Sequence, residues 1–147
     1  MQISEVSKIT GLSISTLRYY DKHGLLQNVQ RTEGGTRDFS QRDLDNLNMI
    51  ECLKNSGMQL KDIRVFMDWC EQGDSTIEKR LAMFEEQEKN VLGEMKKLEH
   101  ALKVIQFKKW YYSQAKEDGT LDRIKNIDPN QYPESIAALY NEIHKEK

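Results

Sequence analysis

From Ile77 to Ile105 the chain carries a stripe that leaves it little choice of fold. Ile77, Leu81, Phe84, Glu88, Val91, Met95, Leu98, Leu102 and Ile105 follow one another in alternating steps of four and three. That is a heptad seam with a single polar break at Glu88. No proline occurs between residues 75 and 128, and Ser75 with Glu78 has capping-box spacing ahead of the seam. A helix over 76–113 would run ~57 Å at ~1.5 Å per residue. One narrow apolar stripe on a helix of that length wants a second helix, and the same helix of a second chain is the most economical choice. The alternative is a helix folded back on its own domain. The pattern therefore predicts a coiled-coil dimerisation helix over 75–115, with Ile77, Leu81, Phe84, Val91, Met95, Leu98, Leu102 and Ile105 at the contact.

Ahead of the seam, residues 1–73 read as short helices and a hairpin. Val6 and Ile9 share a face, Ser4 is placed to cap that helix, and Gly11 permits a sharp turn. Ser13 is placed to cap a second helix whose Ile14, Leu17 and Tyr20 repeat with helical spacing, and Gly24 ends it. Helix, tight turn, helix over about 4–23 is the outline of a DNA-reading unit. Residues 27–39 are polar around Gly34-Gly35, which predicts a hairpin, with a plain loop as the alternative. Ser40 and Asp43 then mark the start of a third helix, with Phe39 placed to staple against Leu44. That helix stops at Asn55-Ser56-Gly57, and a fourth spans roughly 60–70 up to Gly73.

Charge alone would not suggest nucleic acid. The 147 residues carry a net charge of −2, and residues 1–75 hold 9 Lys/Arg against 11 Asp/Glu. Between residues 18 and 42, however, Arg18, Lys22, Arg31, Arg37 and Arg42 face only Asp21, Glu33 and Asp38. Distribution matters more than the sum. No apolar run approaches the ~20 residues needed to span a bilayer. Glu5 and Lys8 interrupt any signal-like opening, so the cytoplasm is the expected location, without membrane association. Two cysteines, Cys52 and Cys70, are too few for a disulfide framework.

LRYYDKHGLL (17–26), RTEGGTRDF (31–39) and LKNSGMQLKDI (53–63), in this order and spacing, resemble the MerR family of transcriptional regulators. The match runs from Ile3 to about Gly73 and continues in architecture through the long helix. The resemblance implies a mainly α chain: a winged helix-turn-helix domain over 1–73, an antiparallel coiled-coil dimerisation helix over 75–115, and a short tail over 116–147. It implies a homodimer on a palindromic promoter that kinks and untwists an overlong spacer, so that RNA polymerase is served indirectly through promoter geometry. By position, Ser15, Thr16 and Arg18 would reach bases or phosphates, with Tyr19 at a phosphate and Tyr20 at least partly in the core. Arg31 and Arg37 match backbone-contacting wing positions, and Lys54 matches a position near a phosphate. Phe39 stands where tyrosine is common, which loses a hydroxyl contact. Gln59 replaces the usual small hydroxyl cap of the fourth helix.

The signal is less legible. No cysteine follows Cys70, and His100 and His144 stand alone, so neither a thiolate-rich metal site nor a cofactor is expected. Cys52 occupies the place where a thiol-dependent, aldehyde-responsive subgroup of the family has a cysteine, which implies a sensor of electrophiles. The competing reading makes Cys52 a core filler, as free cysteines often are, and Cys70 beside Trp69 is read as structural. A further alternative is a small-molecule pocket lined by Trp110, Tyr111, Tyr112, Tyr132 and Tyr140. Outside regulation altogether, a coiled-coil protein-interaction module is the rival. No base–nucleophile pair or phosphate loop points to an enzyme.

Overall fold

A computed structural model describes residues 1–145; the last two residues of the expected tail, Glu146 and Lys147, lie outside the described residues. The chain divides into two compact units, Met1–Val91 and Leu92–Lys147. In the first, α1 (Ile3–Thr10) and α2 (Ile14–Lys22) are followed by the hairpin β1 (Gln30–Arg31) and β2 (Arg37–Asp38). Helices α3 (Gln41–Asn55) and α4 (Leu60–Gln72) come next, and then the long helix α5 (Ile77–Asp118), which contributes to both units. The second unit adds α6 (Asp122–Asn126) and α7 (Glu134–Lys145).

Each turn in the first unit has a chemical cause. Gly11 adopts φ +74°, the left-handed conformation that closes α1, and Ser13 accepts from Thr16 N–H to start α2. β1 and β2 pair antiparallel, with Gln30 opposite Asp38 and Arg31 opposite Arg37, so the segment is a hairpin rather than a plain loop. Ser40 and Asp43 form a reciprocal capping box, while Phe39 and Leu44 flank it in the core. Val6, Leu17, Tyr20, Leu47, Ile50 and Ile63 bring all four helices together in one apolar core.

Two expected caps are replaced. α1 begins at Ile3, two residues earlier than expected, with Gln2 at its cap position making no side-chain bond and Phe39 N–H bonded to Met1 O just before it; Ser4 lies inside the helix. Before α5, a single 3-10 turn over Asp74–Thr76 intervenes, and the polar anchor is Thr76 rather than Ser75. The buried Thr76 hydroxyl lies 2.6 Å from Trp69 O, and Arg80 Nε donates to it at 3.1 Å. Thr76, bonded to neighbours within seven residues, takes the place expected of the Ser75–Glu78 pattern. Helix α4 starts without a side-chain cap at Gln59.

α5 is 42 residues long, running past the expected end to Asp118 and stopping before Gly119 at φ +73°. Much of its apolar stripe stays in solvent, with Leu81 59% exposed, Leu98 68% and Ile105 62%, whereas Phe84 packs edge-on against Phe66 of α4 and Val91 is half-buried. In the second unit α6 and α7 bury Ile124, Ile136 and Ile143. Phe107 of α5 packs on Tyr140 of α7, and Lys103 pairs with Glu142 at 2.7 Å. The terminal helix thus docks on its own chain's α5.

Candidate nucleic-acid interface

Helix α2 presents Ser15, Arg18 and Tyr19 to solvent and turns Leu17 and Tyr20 inward. Tyr19 stacks on His23 with centroids 4.1 Å apart. Thr16 is half-buried, and its hydroxyl lies 2.8 Å from the Ser13 hydroxyl that caps the helix. Ser15 joins the same group at 3.0 Å. Of the α2 residues picked from sequence, Arg18 and Tyr19 are therefore the ones whose polar ends are presented freely.

Tyr20 is core, with 1% of its surface exposed. Its hydroxyl donates to Glu51 Oε1 at 2.7 Å, and Lys54 Nζ donates to that hydroxyl at 3.3 Å. Burial, with the Glu51 hydrogen bond and charge, pushes the phenol pKa well above its usual value. A side chain so enclosed is not itself presented at the surface; what it positions there is Lys54 of α3. Glu51 was not singled out in the sequence, since nothing local marks a carboxylate whose partner lies 31 residues away.

The two wing arginines converge on a residue the sequence reading passed over. Arg37 Nε donates to Asp21 Oδ2 at 2.6 Å, and Arg31 Nη2 stands 3.7 Å from the same oxygen. Arg31 also donates through Nη1 to Gly35 O at 2.8 Å, closing the hairpin tip. The available signal was the acidic residue within LRYYDKHGLL, set among cations at the end of the recognition helix. Elsewhere Gln87 on α5 donates to both Ser56 O (2.8 Å) and Ser56 Oγ (3.0 Å), tying the long helix to the α3–α4 turn next to Lys54.

Cys52 lies on α3 between Glu51 and Lys54 and is exposed, so it fills no core space; Cys70 is half-buried against the core. Among the described residues, no three His, Cys, Asp or Glu side chains are grouped to hold a metal ion. Trp110, Tyr132 and Tyr140 gather around Phe107 with centroids 5.7–6.0 Å from it, a half-buried aromatic cluster in the second unit. Tyr112 is left exposed. A cleft of about 460 Å³ does open in the first unit, lined by Met58, Asp62, Trp69, Met83 and Gln87 among others. No helix among the described residues is long and apolar enough to cross a membrane.

The sequence profile described as MerR HTH family regulatory protein matches residues 1–69. An uncharacterized HTH-type transcriptional regulator of Haemophilus influenzae is 45% identical over 125 residues, covering 85% of this chain and 90% of that relative. Among solved structures, HiNmlR, a MerR family regulator lacking the sensor domain and bound to promoter DNA, aligns with a TM-score of 0.76 at 43% identity. That alignment covers 82% of this chain and 96% of HiNmlR. A MerR family transcriptional regulator from Bacillus thuringiensis aligns at 0.66 with 47% identity, covering 74% of this chain and 95% of the other.

Proposed function

The chain belongs to the MerR family of DNA-binding transcription regulators, and on that premise we propose that it acts as a homodimer distorting promoter DNA when Cys52 is modified by an electrophile such as a reactive aldehyde. The observation that carries the signal is the exposure of Cys52 on α3, between the Glu51 that holds Tyr20 and the Lys54 that faces outward. A thiol there is open to attack by an electrophilic carbon, and an adduct would add bulk to the stretch of α3 that carries Glu51 and Lys54. Such capture is signalling, not turnover.

Dimerisation rests on the α5 stripe, whose Leu81, Met95, Leu98, Leu102 and Ile105 are each half or more exposed and need a second helix. Two copies would present two α2 helices to successive major grooves, with Arg18 and Tyr19 on the reading face and Lys54 at the backbone. Phosphate contacts set register, and deformation of the spacer carries the regulatory output to RNA polymerase.

The test is affinity for, and transcription from, the chain's own upstream promoter fragment at fixed salt. Native protein and Cys52→Ala are compared with and without an aldehyde. Output that answers to aldehyde only when Cys52 is present supports the thiol reading. Identical responses in both proteins remove Cys52 from the mechanism and leave the regulator standing. No specific binding by a folded dimer sinks the promoter reading itself.

A further inference from the structure

Asp21 is a carboxylate set among Arg18, Lys22, Arg31 and Arg37, on the surface proposed to meet phosphates. Such a group repels DNA of every sequence, so its position calls for a reason. Its Oδ2 holds Arg37 Nε at 2.6 Å, with the two side chains only 20% and 22% exposed, and Arg31 stands 3.7 Å away at 52% exposure. The Arg37 pair is thus largely shielded from water, where a charge-assisted bond holds better than an exposed one. Strands β1 and β2 have two residues each, too few to fix a hairpin by themselves. Asp21 belongs to α2 and Arg37 to β2, so this bond joins the recognition helix to the wing.

We propose that Asp21 is a specificity-determining residue: it clamps the wing to α2 through Arg37, so that helix and wing meet DNA as one reader. The inference rests on the DNA-binding reading above. With the clamp closed, Asp21 offsets the Arg37 charge and fixes where its Nη groups can meet a phosphate, so the wing sits well on DNA only where α2 also fits. With the clamp opened, Arg37 follows the backbone wherever α2 lies. Affinity then rises for any sequence, because phosphate neutralisation is blind to sequence, and discrimination falls. Asp21 therefore trades general affinity for selectivity.

The test uses the full chain and two labelled duplexes, its own upstream promoter fragment and a scrambled one of equal length, in anisotropy titrations at several salt concentrations. Asp21→Asn should bind the scrambled duplex more tightly and show a smaller promoter-to-scrambled ratio. Its log K against log salt should steepen by ~0.9 per subunit for one arginine released to a phosphate. For each such arginine, the variant's advantage should shrink about 3.5-fold between about 50 and about 200 mM salt. Arg37→Lys keeps the charge but loses the planar Nε contact, so it should lower the same ratio, and it serves where Asp21→Asn does not fold. An unchanged ratio and slope in a folded variant overturns the clamp. Wild-type protein that fails to distinguish the two duplexes overturns the DNA reading instead, a separate outcome.

Discussion

Replacing Tyr20 with phenylalanine isolates one hydroxyl in an otherwise intact core. The ring is buried at 1% exposure and its packing is kept, while the bond to Glu51 Oε1 at 2.7 Å and the acceptance from Lys54 at 3.3 Å are lost. A hydrogen bond to a charged group is worth ~1.5–3 kcal/mol. Glu51 is half-buried, and water or Lys54 can partly replace the phenol, which places the cost near ~1.5 kcal/mol. With a urea m-value of about 2 kcal/mol/M, the midpoint should fall by about 0.7 M at neutral pH. The difference must then change sign in alkali. The Tyr20 pKa is raised in the folded chain above its usual 10.0, so the unfolded chain loses that proton first. Stability held below pH 10 is therefore lost as pH rises, at ~1.4 kcal/mol per pH unit for this one group. Phenylalanine has no proton to lose, and the other tyrosines titrate in both proteins. The gap should close about one pH unit above 10 and reverse beyond it. Urea titrations at matched protein concentration from pH 7 to 11.5 measure this directly. A gap that stays constant across the range refutes the buried, neutral phenol and the Glu51 bond together.

Two further perturbations probe other parts of the argument. Leu98→Asp places a charge on the most exposed of the seam's apolar residues, and light scattering after gel filtration should then report a monomer with lost affinity for the promoter fragment; a persistent dimer would move the interface off this stripe. Gly57 holds φ +92° with no atom within 4 Å of an added Cβ. Gly57→Ala should therefore cost about 1 kcal/mol from backbone strain alone, read as a lower urea midpoint, and a neutral result would mean the α3–α4 turn relaxes to negative φ.

Local signals and long-range contacts were unequally legible. Ser13, Ser40 with Asp43, and the glycines at 11, 24 and 57 act within a few residues, and their patterns carry directly into the helices they bound. The contacts that build the interface join distant residues: Asp21 with Arg37, Tyr20 with Glu51 and Lys54, Gln87 with Ser56. No periodicity announces such a pair, because either residue alone is an ordinary polar surface choice. Two expected caps gave way to other contacts: α1 starts after Gln2, next to the Met1 carbonyl that accepts from Phe39 N–H 38 residues on, and Thr76, bonded to Trp69 and Gly73, stands in for the Ser75–Glu78 box. The tail's aromatics were legible as a group, but their ring-to-ring contacts with Phe107 of α5 join residues 25 and more positions apart and no spacing announces them.

Those distant pairs also form a connected line through the first unit. Gln87 on α5 holds the Ser56 carbonyl and hydroxyl, two residues after Lys54. Lys54 bonds the Tyr20 hydroxyl, and Tyr20 sits in the core of the recognition helix. Glu51 takes the other side of that hydroxyl, one residue before the exposed Cys52. The α3–α4 turn is therefore where α5, Lys54 and the proposed sensor Cys52 come close in the chain. Packed elements move between discrete arrangements rather than deforming smoothly, so a small displacement at such a joint is either resisted or passed on whole. An adduct on Cys52 need not touch DNA or α5 to act. Displacing Glu51 would take away the acceptor of the Tyr20 hydroxyl and leave Lys54 as its remaining partner, and on the proposed reading that is how α2 would be reseated while its fold remains.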